Sequence, residues 1–244
     1  MIRVILNGAS GRMGREVLSA VTKKTEFEIV AKVDANGGDG CFVSLDEVTA
    51  PADVIVDFSH HAATSSLVGY ATEKKIPLLI ATTGQTPDEL EKIKAAAEKI
   101  PVFFSANYSL GIAALIRAAR SIAALYPDAD IEIVETHHNR KLDAPSGTAL
   151  SIAHALSETR EHPALQLGRA GQKKREKNEI GIHAVRLGNT VGKHEVLIGT
   201  DNETITLTHE AHSRALFADG ALAAAAFLVR RGPGLYAMND LVGD

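Results

Sequence analysis

The feature that most limits the fold is the N-terminal stretch IRVILNGASGRMG, an apolar run followed by a glycine loop. Residues 2–6 are rich in β-branched side chains, and three glycines then recur at three-residue intervals before a helical stripe of apolar residues. A second apolar run, Phe27–Val33, ends at Asp34, about twenty residues beyond the last glycine. The order predicts a strand, loop, helix and strand of the kind that binds dinucleotides.

Each part of this unit has a physical reason. Glycines let the backbone approach a pyrophosphate closely, and a helix N-terminus supplies N–H donors and positive potential. A carboxylate at the end of the second strand, here Asp34, accepts hydrogen bonds from both ribose hydroxyls. The spacing departs from G-x-G-x-x-G, and a glycine loop alone can be a simple tight turn. Because the strand, the glycine loop, the helix and the carboxylate after the second strand are all present, the sequence favours a nucleotide site over a simple turn.

Strand and helix patterns then alternate as far as residue 108. Strand-like runs lie at 54–58 and 78–81, and PVFFSANYS supplies a further strand with its exit loop. A capping box at Thr86 and Glu89 begins one of the intervening helices. This alternation predicts a doubly wound parallel sheet, whose ligands bind beyond the carboxyl ends of the strands. Taken singly, His60 and Thr82 are typical of solvated turns. Their shared strand-end position makes them candidates to border a cofactor.

The pattern changes after residue 111. A long apolar helix is predicted over 112–125 and a strand over 130–134, followed by ETHHNRKLDAPSGTA and another helix. Strand patterns near 181–186, 194–198 and 204–210 predict an antiparallel or mixed sheet. The basic run at 173–177 is most simply a mobile solvated loop, with closure over an anionic substrate as the alternative. A last helix over 217–230 precedes a nearly uncharged tail, which we expect to dock on the protein.

The stretch ETHHNRKLDAPSGTA combines an anion site with a proton donor. Ser146 and Thr148 flank Gly147 at a helix start, where N–H groups and hydroxyls face a ligand, and Lys141 adds a positive charge. These features predict a carboxylate receptor. His137 is suited to deliver a proton near neutral pH. The two histidines at this strand end could instead bind a metal or simply lie on the surface. Because the chain also has a dinucleotide site, the favoured interpretation is a reduction, and we expect no metal site.

Composition excludes other classes of function. The formal net charge is −4, and acidic and basic residues are interspersed, so we expect neither a nucleic-acid partner nor a membrane surface. Cys41 is the only cysteine, which excludes an internal disulfide and a cysteine-based metal cluster. No apolar stretch approaches the ~20 residues of a membrane helix, and MIRVILNG lacks the charged and long apolar regions of a signal peptide. We therefore expect a cytoplasmic protein.

Four segments together resemble the 4-hydroxy-tetrahydrodipicolinate reductases of the diaminopimelate route to lysine. The segments are ETHHNRKLDAPSGTA, GASGRMG, ATTG with SANYSLG, and the stretch from VRLGNTVGKHEV to THEAHSRALFADGA. The resemblance implies an α/β fold in which 1–108 and 218–244 form a Rossmann-like dinucleotide-binding domain. It also implies an inserted α+β domain, 109–217, for substrate binding and tetramerisation, a homotetramer, and hinge closure that brings nicotinamide to a small dicarboxylate substrate.

The resemblance also implies residue roles. The catalytic positions are His137, as proton donor, and Lys141. The substrate-binding positions are His138, Lys141, Ser146, Gly147 and Thr148. The cofactor positions are Gly8, Ser10, Gly11, Arg12, Met13, Gly14, Asp34, Phe58, Thr82, Gly84, Ala106, Asn107 and Tyr108. Tyr108 stands where some family members have phenylalanine.

Two questions remain open at the level of sequence. Asp34 repels a 2′-phosphate while Arg12 and Lys32 attract one, so we expect NADH to be preferred and NADPH to be accepted as well. The alternatives to this enzyme are another small-acid nicotinamide dehydrogenase, such as an aspartate dehydrogenase, and a dinucleotide-binding module without turnover. The aspartate dehydrogenase would not need DAPSG after HH-x-x-K.

Overall fold

The computed structural model describes residues 1–243, which form two compact units. The first unit comprises Met1–Ser109 and Arg214–Gly243, and the second comprises Leu110–Ser213. The strands in chain order are β1 (Ile2–Asn7), β2 (Phe27–Val33), β3 (Val54–Asp57), β4 (Leu78–Ile80), β5 (Pro101–Phe104), β6 (Asp130–His137), β7 (Ala164–Leu167), β8 (Glu179–Arg186), β9 (Gly192–Gly199), β10 (Thr204–Ala211) and β11 (Gly234–Tyr236). The helices are α1 (Arg12–Val21), α2 (Thr64–Lys74), α3 (Pro87–Ala97), α4 (Leu110–Leu125), α5 (Gly147–Ser157), α6 (Ala215–Leu228) and α7 (Met238–Val242).

The first unit is built on a six-stranded sheet in the order β11-β5-β4-β3-β1-β2, and all its pairings are parallel. The apolar centres of β1, β3 and β4 are fully buried, as expected for strands covered on both faces. Because the strand order reverses at β1, the boundary between β1 and β3 is the switch point at which ligands of such sheets bind. The predicted Rossmann-like sheet is confirmed.

Helices complete the layers of this unit. Apolar residues of α2 and α3 share one buried cluster with the sheet, and α6 contacts both α1 and the central strands β3, β4 and β5. The predicted capping box at the start of α3 is present, with Thr86 and Glu89 exchanging hydrogen bonds. The C-terminal tail does more than dock, because β11 pairs with β5 and extends the sheet.

The second unit is a five-stranded mixed sheet, β10-β9-β6-β8-β7, with α4 and α5 packed on one face. The central strand β6 runs parallel to β8 and antiparallel to β9. Strand alternation directs Ile131 and Ile133 into the core beneath the helices, and Glu135 and His137 follow on the same face. The sheet thus carries polar side chains to one end of a buried apolar face.

Two predictions for this unit need correction. The strand predicted over 130–134 extends to His137, because the backbone pairings with β8 and β9 continue through the polar residues. The basic run 173–177 is not simply a mobile solvated loop. Its Arg175 is largely buried and donates to the carbonyls of Ile131, at 3.1 Å, and Glu179, at 2.6 Å. The segment is therefore fastened to the sheet.

Within residues 1–243, no helix is both long enough and apolar enough to cross a membrane.

Candidate active site

The glycine loop after β1 fits a nucleotide because side chains are excluded there. Gly8 has φ +79°, and a Cβ on it would lie 2.6 Å from the carbonyl carbon of Phe58, in the loop after β3. A Cβ on Gly14 would lie 2.3 Å from the carbonyl oxygen of Gly8, so the helix can approach the loop only with glycine at that position. The backbones therefore come together at the switch point of the sheet, as the cofactor site of this fold requires.

Asp34, directly after β2, fastens this loop. Its carboxylate is buried and accepts hydrogen bonds from the backbone N–H groups of Ser10 and Asn36, both at 3.0 Å. Each oxygen keeps lone pairs for a further donor, such as a ribose hydroxyl. Of the two nearby cations, Lys32 donates to the carbonyl of Asp39 at 2.8 Å, while Arg12 is exposed at the first position of α1.

A buried polar network joins the ends of β1, β3 and β4. Asp57 is almost inaccessible and accepts from the Asn7 amide at 2.7 Å and the Ser59 hydroxyl at 2.6 Å. Burial raises the pKa of Asp57, and the hydrogen bonds from Ser59, Asn7 and Thr82 oppose this effect. Asp57 belongs to no motif of the sequence, and its polar side chain at the end of a fully buried strand is the only local signal for it.

The loops after β4 and β5 hold the remaining candidates for cofactor contact. Gly84 has φ +90°, Ala106 is exposed, and the side chain of Asn107 accepts from the N–H of Ser109 at 2.8 Å. Tyr108 differs, because only 3% of it is exposed and its hydroxyl donates to the carbonyl of Ile80 at 2.8 Å. Its ring centroid lies 6.2 Å from that of Phe58. The extra hydroxyl of Tyr108 is thus used to join β4 to the loop after β5.

His60 is exposed and accepts from the N–H of Ala62 at 3.2 Å, which makes it a turn residue in this structure.

In the second unit, the predicted helix start is present. Ser146 is the N-cap of α5, and its hydroxyl accepts from the N–H of Ala149 at 3.2 Å. Gly147 and Thr148 are the first two residues of the helix. The N–H of Ser146 itself donates to Glu135 at 3.0 Å. The helix N-terminus and the end of the strand are therefore joined by a direct hydrogen bond.

Glu135 is the centre of this site and was missed by the sequence analysis. It is completely buried, and its carboxylate accepts from Nδ1 of His137 and, at 2.9 and 3.0 Å, from both terminal nitrogens of Arg186 on β8. Burial raises the pKa of Glu135, but the hydrogen bonds from Arg186, His137 and the Ser146 N–H outweigh it and leave that pKa below its ordinary value. The buried carboxylate is ionised at neutral pH.

His194, on β9, is the second buried residue that the sequence analysis missed. Its ring packs edge-on against that of His137, with centroids 5.2 Å apart, and its Nε2 lies 3.3 Å from the Ser146 hydroxyl. Burial, helped by repulsion from His137, lowers the pKa of His194 to about 4. His194 is therefore neutral at neutral pH, and any proton delivered near pH 7 comes from another group.

The loop between β6 and α5 supplies the remaining charges. The ammonium of Lys141 lies 2.8 Å from a carboxylate oxygen of Asp143. This hydrogen bond is the main reason why the pKa of Asp143 is lowered. His138 is half-buried next to His137. Because Asp143 is exposed, solvent screens its ion pair with Lys141. Among the described residues, no three His, Cys, Asp or Glu side chains are grouped as a metal ion requires.

The chain matches two family models. Residues 2–108 match "Dihydrodipicolinate reductase, N-terminus", and residues 111–242 match "Dihydrodipicolinate reductase, C-terminus". A 4-hydroxy-tetrahydrodipicolinate reductase of Caldanaerobacter subterraneus subsp. tengcongensis is 48% identical over 99% of this chain and 98% of its own length. The enzyme of the same name from Alkaliphilus oremlandii is 44% identical over 98% of each chain.

Solved structures give a consistent result. The dipicolinate-bound dihydrodipicolinate reductase from Paenisporosarcina sp. TG-14 superposes with a TM-score of 0.84 and 27% identity, covering 100% of both chains. A myo-inositol dehydrogenase from Corynebacterium glutamicum, with a TM-score of 0.60 and 19% identity over 96% of this chain and 90% of its own, shares only the fold.

Proposed function

The chain belongs to the dihydrodipicolinate reductase family, and we propose that His137, Lys141 and the turn at 146–148 form its substrate site. Its activity is the NAD(P)H-dependent reduction of 4-hydroxy-tetrahydrodipicolinate to tetrahydrodipicolinate, a step in the diaminopimelate route to lysine. The observation that carries this conclusion is the full-length match, in which the nucleotide half and the substrate half both agree with one enzyme. An aspartate dehydrogenase or a non-catalytic module is disfavoured by the same match.

The substrate carboxylates bind at the start of α5. The N–H groups of Gly147 and Thr148, the hydroxyl of Thr148, His138 and the ammonium of Lys141 are the donors that this loop offers. Lys141 exchanges its contact with Asp143 for a carboxylate of the substrate. The dipicolinate-bound state of the Paenisporosarcina reductase supports a site for a planar dicarboxylate.

His137 is the proton donor of the reaction. It lies at the end of β6, beside the anion-binding turn, and it is buried against Glu135. When bound, the reduced nicotinamide supplies the hydride that adds to C4 of the conjugated imine formed by loss of water from the 4-hydroxy precursor. The developing negative charge is removed by protonation from His137, while Lys141 holds a carboxylate in place.

The residues that hold the cofactor lie at the strand ends of the first unit. The glycines of the β1 loop admit the pyrophosphate, the α1 N-terminus with Arg12 and Met13 faces it, and the loops after β3, β4 and β5 line the nicotinamide end. Asp34 accepts hydrogen bonds from the ribose hydroxyls and repels a 2′-phosphate. NADH is therefore preferred, and Arg12 allows NADPH to be used as well.

The proposal extends to assembly and location. Residues 1–108 and 218–244 act as the dinucleotide domain, and 109–217 acts as the substrate domain and forms a homotetramer in the cytoplasm. Apolar side chains near the end of β8 support an interface there, since Leu187 is 62% exposed and Val185 is 39% exposed. Light scattering on the purified protein measures the assembly, and a monomer would contradict this part.

One coupled assay tests the activity. The preceding synthase, given pyruvate and aspartate semialdehyde, produces the substrate in the cuvette, and the absorbance of NADH is followed after this protein is added. We expect NADH to be consumed only when all components are present. Persistence of the NADH signal would reject the proposed function.

A further inference from the structure

We propose that Glu135 is a positioning residue for proton transfer, which fixes the tautomer and orientation of the His137 ring so that Nε2 donates the proton. The inference rests on the proposed function, since it takes His137 as the donor. Glu135 does not itself meet the substrate in this scheme, because it is completely buried beneath α5. Its effect passes through the imidazole.

The tautomer follows from the hydrogen-bonding chemistry of the pair. The Glu135 carboxylate faces Nδ1 of His137, and an ionised carboxylate can only accept a hydrogen bond. Nδ1 therefore carries a hydrogen in both the neutral and the protonated ring. In the protonated ring, the hydrogen that can leave is the one on Nε2.

Arg186 keeps this arrangement in place. Its two terminal nitrogens bind the two oxygens of Glu135 at 2.9 and 3.0 Å, and its register position on β8 is directly opposite His137 on β6. The Ser146 N–H, at 3.0 Å, binds the oxygen that His137 does not use. The two guanidinium nitrogens of Arg186 and the N–H of Ser146 hold the carboxylate. It therefore cannot rotate away from the imidazole without breaking charge-assisted hydrogen bonds.

On its other side, the ring packs closely against a glycine. A Cβ on Gly192, in the neighbouring strand β9, would lie 3.0 Å from Nε2 of His137, which is closer than most packed side chains allow. Nδ1 is therefore held by the Glu135 carboxylate, whereas Nε2 faces the backbone of β9 at a position where only glycine fits. Nε2 is accordingly the nitrogen that we assign to proton exchange.

The proton balance is simple. Protonated His137 gives the Nε2 proton to the anion left by hydride addition, and it keeps the Nδ1–H bond to Glu135. The ring becomes neutral, Glu135 stays ionised, and water returns a proton to Nε2 before the next turnover. Arg186 is the strand neighbour of His137, the His194 ring packs against it, and His138 follows it in the chain. His209 and Lys141 lie near His194.

The first test reads the tautomer directly. Protein labelled with ¹⁵N-histidine is examined by long-range ¹H–¹⁵N NMR, with His137→Gln identifying the His137 signals. We expect neutral His137 to carry its hydrogen on Nδ1 in the wild-type protein. A hydrogen on Nε2 would overturn the inference whatever the kinetics show.

The second test uses Glu135→Gln, which keeps the shape of the side chain but removes its charge. We expect kcat to fall by at least ~10-fold, the KM for NADH to stay within about twofold, and the high-pH limb of the kcat profile to move to lower pH. The shift is expected because the imidazolium loses an anionic neighbour. The matched control is Glu195→Gln, on β9 but paired with Lys193 on the other face, which should leave all three quantities unchanged.

The outcomes separate this inference from the proposed function. A fall in kcat with an unmoved pH limb, accompanied by lower thermal stability, would make Glu135 merely structural and would overturn the inference. Turnover at the wild-type rate in His137→Gln would instead reject His137 as the donor, and the tautomer spectrum would still report whether Glu135 orients the ring.

Discussion

His194 should make the second unit less stable in mild acid, and glutamine at this position should remove that sensitivity. Burial lowers the pKa of His194 from 6.5 to about 4, so the unfolded chain binds a proton more readily than the folded one. Above pH 6.5, His194 is neutral in both the folded and the unfolded chain, and the unfolding free energy has its full value. As the pH falls from 6.5 toward 4, the unfolded chain binds a proton that the folded chain does not, so the unfolding free energy falls.

The magnitude follows from the two pKa values. Each unit of pKa difference corresponds to ~1.4 kcal/mol, so lowering the pH from 7 to 4 should remove about 3 kcal/mol of unfolding free energy through this residue. Other groups also titrate over this range. The informative quantity is therefore the difference between the pH dependence of the wild type and that of His194→Gln.

Urea unfolding at both pH values, followed by far-UV circular dichroism, measures this difference, since the chain has no tryptophan for fluorescence. Any loss common to both pH values, such as the contact with Ser146, cancels in the comparison. The control is His154→Gln, an exposed histidine on α5, which should follow the wild-type pH dependence. If His194→Gln also lost stability in parallel with the wild type, burial of a neutral His194 would be refuted.

Four further predictions concern catalysis and binding. His137→Ala should lower kcat by ~10²-fold or more with little change in NADH affinity, because a positioned general acid contributes ~10²–10⁴; unchanged turnover would remove His137 from the mechanism. Pyridine-2,6-dicarboxylate should compete with substrate in steady-state assays, and the monocarboxylate should be much weaker, because half of the anchoring charge is missing. Asp34→Ala should weaken NADH binding by roughly 1–2 kcal/mol and leave NADPH binding equal or better, measured as kcat/KM for both cofactors at one salt concentration. Gly192→Ala should lower kcat more than substrate affinity, because the added methyl displaces the His137 ring; a wild-type kcat would show that this ring position is not needed.

The nucleotide half could be predicted well because its signals are local. Strand, glycine loop and helix follow one another along the chain, and the parallel strands are short apolar runs separated by helical patterns. The capping box of α3 lies within four residues. Such features depend little on the rest of the fold.

Elements stabilised by distant partners were harder to predict. The strand β11 is only three residues long and exists because its backbone pairs with β5. The strand β7 carries mostly exposed side chains, so it lacks a pattern of burial. Arg175 stands in a basic run that reads as solvated, and only the packed sheet shows that its guanidinium serves buried carbonyl groups.

The same distinction explains why the anion-binding turn was predicted while the residues around Glu135 were missed. Lys141 and the 146–148 turn lie close together in sequence, whereas Glu135 and Arg186 are 51 residues apart and meet only through the register of β6 and β8. Strand alternation still contained a signal, since Glu135 continues the buried face of Ile131 and Ile133. A carboxylate on such a face must have a buried partner, because an unpaired buried charge is costly. The sequence therefore predicts that a partner exists, and the strand register determines that the partner is Arg186.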